Sequence, residues 1–422
     1  MPDDPRLTRR TLLKRAGIGA GLLLGAGIAI ERITRDAEAG SEYLPGFNDD
    51  FLTYSNSPFA GATMRKVRQC RGEAMRFGVD WSAVQAKGPD QFDWSPYQPL
   101  HELALRHGLQ LLPTIFGCPE WAGPVRTAPR WPGNDPEFPA DSYRTCSRDH
   151  DGEFGAFADA TLRHFDSFAR YAGHPTVIQA VEIFNEPNVW TFGAVPAARV
   201  RELATAAGDA VTESQASGAY STPMRVISGG LAPVVALEPG NRLGLPPRNS
   251  WQEYLHELTA DGPGPFDIGI HSYETSKPPE GVLATPEDNP DDPSARASEF
   301  AAWQSDRIVE QLDEALEIAR GDLWLTETGA SSANIWSTDI FSPAYRAEHG
   351  QAIQAEVLAR VADQLKSRPR YRSMVVHRLF SDDRAEPPPT AIGDSPHYQD
   401  GVYESIDGRP KQAVGALAGA WG

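Results

Sequence analysis

Two apolar runs of the sequence end in a glutamate, and these two glutamates have the chemistry of a catalytic pair. The stretch VEIFNEPNVW, residues 181–190, begins like a buried strand and turns polar at Asn185 and Glu186. The stretch LWLTETGAS ends a second apolar run with Glu327. If both carboxyl groups face one cleft, one can protonate a departing oxygen while the other attacks a carbon or activates a water. Glycosidic bond cleavage needs such a pair.

Four further polar residues fall in or at the end of predicted strands. Arg76 could keep a carboxylate ionised through a charge-assisted hydrogen bond, and we favour this role over the alternative, a structural salt bridge. Asn185 could bind a sugar hydroxyl. His271 and Tyr273 end the run FDIGIHSY, where His271 could instead be a core histidine. We predict all four as substrate-binding residues beside the two glutamates.

Two tryptophans follow the glutamate-bearing runs. Trp190 comes after the first run and Trp336 after the second. Their aromatic faces could stack on sugar rings, which combine apolar faces with hydroxyl groups. Both could instead simply pack loops. We include them among the predicted substrate-binding residues.

Strand-like and helix-like segments alternate along the chain and predict its fold. Eight apolar strands are predicted, of which only the first is poorly defined: residues 42–52, 74–81, 109–116, 177–186, 224–230, 266–273, 323–331 and 372–382. A helix is predicted after each: residues 59–71, 97–108, 154–173, 196–217, 250–262, 299–321, 345–367 and the C-terminal segment. Apolar strands joined by helical crossovers favour a parallel sheet covered on both faces.

Eight such units close into a barrel, so the predicted fold class is α/β, a (β/α)8 TIM barrel. Reactive groups of this fold lie at the carboxyl ends of the strands, where Glu186 and Glu327 are predicted. A doubly wound sheet is the alternative. It is disfavoured because no G-x-G-x-x-G follows an early strand, so the usual dinucleotide signature is missing.

Composition excludes some partners. The chain has 422 residues, 40% of them hydrophobic, and a formal net charge of −18. This acidic balance argues against nucleic acid and polyanionic substrates. The predicted chemistry requires no cofactor and no metal, and no cysteine and histidine spacing is typical of a metal site.

The first 39 residues resemble a twin-arginine export signal. The segment TRRTLLKRAG, residues 8–17, places paired arginines before a glycine-rich apolar stretch, and AEA at residues 37–39 offers a cleavage site. We therefore expect export by the Tat machinery to an extracellular, periplasmic or cell-envelope location, and a single catalytic domain over residues 40–422. An uncleaved N-terminal anchor is the alternative reading of the apolar stretch.

The three cysteines are Cys70, Cys118 and Cys146. An exported protein can keep disulfides. Cys118 and Cys146 fall in one predicted loop and could pair, whereas Cys70 is predicted as a buried thiol.

The motifs FNEPN and LTETG resemble those at strands 4 and 7 of the clan A retaining glycoside hydrolases, the four-over-seven (β/α)8 group. Shorter pieces agree: RFGVDWSAV, GLQLLPTIFGCPEWA, FDIGIHSY and DGRPKQAVGAL. The resemblance extends from about residue 42 to the C-terminus and is nearest to cellulase-like and family-39-like members. It implies cleavage of β-linked O-glycosidic bonds in an oligosaccharide, polysaccharide or glycoside by double displacement.

The same resemblance assigns roles to individual residues. Glu186 would be the acid/base and Glu327 the nucleophile. Asn185 would contact the sugar 2-hydroxyl. Arg76 and Tyr273 would tune Glu327. His271 would line the subsite.

The sequence departs from the family pattern at strand 8. These enzymes often have a tryptophan there, under the sugar in the cleaved subsite, but this strand reads VVHRLFSDD. His377, Arg378 or Phe380 must fill that position, or the subsite differs. A carbohydrate-binding barrel without turnover and a transglycosidase therefore remain alternatives, and the sugar and linkage are not fixed by the sequence.

Overall fold

The computed structural model describes eleven stretches of the chain: residues 43–48, 60–124, 145–171, 176–189, 192–236, 249–273, 293–319, 321–330, 343–379, 401–404 and 408–422. Eight strands alternate with helices along these stretches. The strands are β1 Leu44–Asn48, β2 Ala74–Asp80, β3 Gln110–Phe116, β4 Ala180–Ile183, β5 Arg225–Ile227, β6 Ile268–Ser272, β7 Leu323–Thr328 and β8 Tyr371–His377.

Nine α-helices lie within the same stretches. They are α1 Ala60–Gln69, α2 Trp81–Val84, α3 Gln98–His107, α4 Asp151–Tyr171, α5 Ala197–Ala216, α6 Trp251–Leu258, α7 Pro293–Ala319, α8 Pro343–Lys366 and α9 Gln412–Ala420. Two helix ends have well-known sequence signals. Helix α3 stops at Gly108 in the left-handed conformation, and Ser250 with Glu253 forms a capping box at the start of α6.

The strands form one parallel barrel. Their order is β5-β4-β3-β2-β1-β8-β7-β6, so the first strand pairs with the last. Isolated parallel bridges, Ile227 to Asp267 and Leu231 to Ile270, join β5 to β6 across the remaining seam. The (β/α)8 TIM barrel is confirmed. The doubly wound sheet is wrong, because such an open sheet has two edge strands, whereas here β1 pairs with β8 and bridges join β5 to β6.

Two of the boundaries that differ from the predicted ones have a clear backbone reason. Strand β4 ends at Ile183 rather than at residue 186, because Phe184 (φ +67°) and Glu186 (φ +41°) turn the backbone into the left-handed region. Helix α7 begins at Pro293 rather than at residue 299. A proline fits the first turn of a helix, because its missing N–H has no partner there anyway.

Strand register places polar side chains in one layer at the barrel mouth. Asn48 lies opposite Arg76 of β2 on one side and opposite His377 of β8 on the other. Below this layer the barrel interior is apolar. Seven of the eight strands contribute one residue each to the interior cluster: Leu44, Ala74, Leu112, Ala180, Ile227, Trp324 and Val375. The larger core lies between the sheet and the helices.

A group of aromatic side chains that includes two histidines lies outside the barrel, between α3 and α4. We call Trp94, His101, His164 and Phe165 the histidine cluster. The His164 ring stacks on Trp94 at a centroid distance of 4.4 Å, and His101 lies 4.8 Å from His164 and 4.3 Å from Phe165. Burial lowers the pKa of His101 to about 3, with a smaller contribution from His164, and burial lowers the pKa of His164 to about 4.

The cysteines are free thiols in this structure, and all three are buried. Cys70 is a buried thiol as predicted. Burial also raises the pKa of the Cys146 thiol to about 12. Within the described residues, no helix is long and apolar enough to cross a membrane. The predicted export signal lies outside the described residues.

Candidate active site

The barrel mouth brings the two predicted glutamates together. Glu327 is the second-last residue of β7, and Glu186 lies three residues beyond the end of β4. One carboxylate oxygen of each and one ring nitrogen of His271 all lie within 4.8 Å of one another. Both carboxyl groups are only partly covered, with 18% of the Glu186 side chain and 11% of the Glu327 side chain exposed. Both carboxyl groups are therefore still accessible from the solvent at the barrel mouth.

The backbone after β4 fixes the position of Glu186. Its N–H donates to the Gly230 carbonyl at 3.0 Å, and its left-handed φ of +41° directs the chain away from the strand. Its Oε1 lies 2.8 Å from Nδ1 of His271. A non-glycine residue in this backbone region is uncommon and costs free energy, and such residues cluster at functional sites.

Glu327 accepts hydrogen bonds at both of its oxygens. Tyr273 donates its hydroxyl to Oε1 at 2.7 Å. Arg76 Nη1 and Asn48 Nδ2 each donate to Oε2 at 3.3 Å. Every one of these groups is a donor, so the site favours the ionised form of Glu327.

The pKa of Glu327 reflects this environment. Burial alone would raise it. Four neighbouring groups oppose burial and together hold the pKa of the carboxyl well below its usual range: His377, His271, Arg76 and Tyr273. Glu327 is therefore a carboxylate at any ordinary pH, as a nucleophile must be.

Arg76 connects three acceptors at the mouth. Its Nε donates to Glu182 Oε2 at 2.6 Å, its Nη1 donates to Glu327, and its Nη2 donates to Asn185 Oδ1 at 2.8 Å. It is 3% exposed. Burial alone would lower the pKa of Arg76, but the charges of Glu182 and Glu327 raise it above its ordinary value. The residue is thus both a buried ion pair and part of the site. We call Arg76, Glu182 and Glu327 the carboxylate network.

The two predicted residues of strand 6 contact one glutamate each. Tyr273 contacts Glu327, whereas His271 contacts Glu186. The His271 ring is fully buried, and its Nε2 lies 3.9 Å from Glu327 Oε2, so it spans the space behind the pair. A Cβ at Gly230 would lie 2.2 Å from Nε2, so only glycine leaves room for this ring.

Trp190 and Trp336, the two predicted stacking residues, lie outside the described residues, as does Phe380 of strand 8. His377, the last residue of β8, lies beside Glu327. Its Nδ1 lies 3.7 Å from Glu327 Oε1, and Arg378 Nε donates to its Nε2 at 3.1 Å.

Sequence reasoning missed three residues of the mouth: Asn48, Thr114 and Glu182. Asn48 contacts Glu327, while Thr114 donates its hydroxyl to Glu182 at 2.7 Å. The charge of Glu182 inside an apolar strand was a usable signal. In an uninterrupted strand, its spacing of four residues from Glu186 would put both side chains on the same face.

The trio of Glu186, His271 and Glu327 also has donor atoms that could hold a metal ion. Carboxylate and imidazole ligands suit several divalent metals. However, Arg76 already places a permanent positive charge 3.3 Å from Glu327. An ion at this trio would have to bind beside that charge, which weakens the site for a cation.

Comparisons with known proteins agree with this fold. No protein-family model matches the sequence, and no curated protein matches it. The structure is similar to a GH5_18 protein from Bifidobacterium longum subsp. longum, with 11% identity and a TM-score of 0.52 over 90% of this chain and 78% of that chain. It is also similar to XacCel5A, solved in complex with cellopentaose, with 11% identity and a TM-score of 0.51 over 89% of this chain and 98% of that chain.

A family 39 glycoside hydrolase from Bacteroides cellulosilyticus matches 89% of this chain, with 13% identity and a TM-score of 0.48, and this chain spans 62% of its length. The similarity to the GH5_18 protein and to XacCel5A confirms the predicted resemblance to clan A glycoside hydrolases at the level of the fold. At these identities the similarity concerns architecture, and the residues of the mouth must support any function themselves.

Proposed function

We propose that this chain is a retaining O-glycoside hydrolase with Glu186 as acid/base and Glu327 as nucleophile. The proposal depends mainly on one observation, which is that an oxygen of Glu186 lies within 4.8 Å of an oxygen of Glu327. Retaining enzymes hold their two carboxyl groups about 5–5.5 Å apart, whereas inverting enzymes leave about 6.5–9.5 Å for a water. The short separation favours retention.

The mechanism we propose is double displacement. Glu327 attacks the anomeric carbon, the glycosidic bond breaks, and Glu186 gives its proton to the departing oxygen. Glu186 then takes a proton from a water, the water oxygen attacks the anomeric carbon, and the ester to Glu327 breaks. Asn185 is oriented by Arg76 and is placed to bind the sugar 2-hydroxyl.

The surroundings of the two carboxyl groups support these roles. Glu327 accepts hydrogen bonds from Tyr273, Asn48 and the guanidinium of Arg76, which keep it ionised and fixed for attack. Glu186 is the more exposed of the two carboxyl groups, which suits a group that exchanges protons with a leaving group and with water.

We also propose that the enzyme is exported and acts on an oligosaccharide, polysaccharide or glycoside outside the cytoplasm. The support is the paired arginines and the apolar stretch of residues 1–39. In a Tat-competent host, the wild-type chain should appear outside the cytoplasm, and Arg9→Lys/Arg10→Lys should remain inside. Equal distribution of both chains would contradict export by this route. Mass spectrometry of the exported chain would locate any cleavage site.

Aryl β-glycosides of glucose, xylose, mannose, galactose and cellobiose test the activity. We expect the wild type to release phenol and Glu327→Ala to be inactive. Glu186→Ala should keep its attack on an activated aryl leaving group, and azide should restore its turnover by giving a β-glycosyl azide. NMR of the first-formed sugar should show retained anomeric configuration, and a chelator should not lower the rate. Inversion, or loss of activity with the chelator, would contradict the mechanism.

One observation favours a second candidate, a carbohydrate-binding barrel without turnover. Strand 8 places His377 beside Glu327, where the resembling enzymes often have a tryptophan. A wild type that is silent on the whole panel but binds a glycan array would support this candidate. Accumulation of longer oligosaccharides instead of free sugar would identify a transglycosidase.

A further inference from the structure

Glu182 is a third glutamate at the mouth, and the proposed chemical steps do not use it. It lies in β4, and its side chain is 0% exposed. A buried carboxylate is costly unless it is paired and hydrogen-bonded. Glu182 is both. Arg76 Nε and Thr114 Oγ1 donate to Oε2 at 2.6 Å and 2.7 Å, and the Gly230 N–H donates to Oε1 at 3.1 Å.

All three partners of Glu182 are donors, which explains why the residue is a glutamate. Both of its oxygens must accept, and only a carboxylate offers acceptors at both positions. A glutamine would have to turn its NH₂ group either toward the Arg76 Nε–H or toward the Gly230 N–H. In both orientations a donor would face a donor.

The contact through Nε determines how Arg76 presents its remaining donors. A guanidinium is planar, so fixing one edge fixes the direction of the other two. With Nε held by Glu182, Nη1 points at Glu327 and Nη2 points at Asn185. The catalytic carboxylate and the predicted 2-hydroxyl ligand are thus both oriented by one side chain that Glu182 holds.

Glu182 also shares the positive charge of Arg76 with Glu327. The contact to Glu182 is the shorter of the two, at 2.6 Å against 3.3 Å. Without the charge of Glu182, the guanidinium would be attracted by Glu327 alone and would move toward it. A carboxylate bound more tightly by a cation is a weaker nucleophile.

We propose that Glu182 is a positioning residue for the proposed glycosidase reaction. It holds Arg76 so that Glu327 is fixed in the ionised form but remains free to attack, and so that Asn185 is oriented toward the sugar. It acts through Arg76 and touches neither the substrate nor the reacting atoms. The catalytic part of this inference rests on the proposed function, whereas the hold on Arg76 does not.

The kinetic test uses Glu182→Gln with activated aryl glycosides. A misplaced catalytic group costs up to about 100-fold in rate. We therefore expect kcat for formation of the glycosyl-enzyme to fall about 10- to 100-fold, with KM changing less than threefold. Glu182→Asp should recover part of the loss, because it keeps an acceptor at both positions.

A double-mutant cycle separates positioning from general support of the fold. If Glu182 acts only through Arg76, Arg76→Lys and Arg76→Lys/Glu182→Gln should have the same kcat. Additive losses would overturn the proposal. Asp322→Asn is the matched control, since Asp322 holds the largely buried Arg372 by a similar charged contact at the amino ends of β7 and β8, opposite the mouth. It should lower stability and leave kcat per folded molecule unchanged.

A readout that needs no activity keeps the two proposals distinguishable. In ¹⁵N-arginine-labelled wild type, the Arg76 Nε–H should exchange slowly with solvent, because it donates to a buried carboxylate. Its exchange should accelerate at least tenfold in Glu182→Gln. If the wild type shows no glycosidase activity but the exchange changes in this way, the proposed function fails and the hold on Arg76 stands. Unchanged exchange together with unchanged kcat would overturn the role of Glu182.

Discussion

The carboxylate network and the histidine cluster both contain buried titratable side chains. They avoid the free-energy cost of an unpaired buried charge in opposite ways. In the network, Glu182 and Glu327 keep their charges because Arg76 pairs with both. In the cluster, His164 stacks on Trp94 and His101 lies against Phe165 in a tilted arrangement, and burial lowers the pKa values of His101 and His164 to about 3 and about 4. The imidazoles therefore remain neutral.

The difference shows that burial alone does not decide the charge state of a side chain. Burial also acts on Glu327 and by itself would raise its pKa, but charged and donating neighbours reverse the shift. For His101, burial and the neighbouring His164 both disfavour the charged form, so its pKa is lowered. A charged network is useful at the mouth, where a reaction needs an ionised nucleophile. A neutral cluster is sufficient between two helices.

Among the substitutions that test this difference, removing Arg76 should lower the free energy of unfolding most. Arg76→Met would leave Glu182 and Glu327 as buried charges without a cation, so we expect a loss of about 3–5 kcal/mol in the free energy of unfolding. The double variant Arg76→Met/Glu182→Leu should be more stable than the single one, because it removes one of the orphaned charges. Urea unfolding followed by circular dichroism measures both. A double variant less stable than Arg76→Met would contradict an uncompensated charge as the cause.

The histidine cluster should make the fold sensitive to mild acid. His101 is neutral when folded, with a pKa of about 3, and has an ordinary pKa near 6.5 when unfolded. The unfolded chain therefore binds the extra proton, so stability is complete above pH 6.5 and decreases as the pH falls. At pH 4.5 the loss from His101 should be about 3 kcal/mol. Urea unfolding at a series of pH values measures it.

Two pH windows distinguish the cluster from the network. The pKa of Glu327 is lowered, so its stabilising effect is present above its ordinary pKa of 4.5 and is lost only below that pH. Between pH 6.5 and 4.5, His101→Leu should therefore reduce the slope of stability against pH and leave only the part due to His164, whose pKa is also lowered, while the slope below pH 4.5 persists. If the variant keeps the full slope between pH 6.5 and 4.5, His101 is not the group that binds the proton.

Much of the fold and the central pair could be predicted from the sequence, for physical reasons. Alternating apolar strands and amphipathic helices leave few topologies, and parallel strands place their carboxyl ends at one mouth. Glu186 and Glu327 were recognisable because each ends an apolar run. The early end of β4 was not predictable, because the left-handed backbone at Phe184 is disfavoured by its residue type.

The contacts of the two buried clusters were harder to predict, because they depend on register and on helix orientation. Asn48 reaches Glu327 only through its register with strands β2 and β8. Glu182 meets Arg76 across β3, which lies between their strands. His101 and His164 are 63 residues apart in a sequence that shows the apolar face of each helix but not which faces meet.

Two glycine substitutions, one at the barrel mouth and one in α4, should change the free energy of unfolding by an intermediate amount. At Gly230 a new Cβ would lie 2.2 Å from His271 Nε2, so Gly230→Ala should displace the ring, lower stability by about 1–3 kcal/mol and reduce activity. Gly152, in the helix that contains His164, has open space around a new Cβ. Gly152→Ala should stabilise the chain by about 0.4–1 kcal/mol. Similar effects at both positions would show that the mouth is less tightly packed than its contacts indicate.

The smallest effect should come from an ion pair of the same types at the surface. Arg409 pairs with Glu404 at 3.3 Å, the same distance that separates Arg76 from Glu327, but 86% of the Arg409 side chain is exposed. Exposed pairs are screened by water and salt, so Arg409→Ala should change the free energy of unfolding by less than about 0.5 kcal/mol. Urea unfolding at low and high salt measures it beside Arg76→Met. A loss comparable to that of Arg76→Met would mean that contact distance, rather than burial of the partner charge, sets the cost of removing an arginine from this fold.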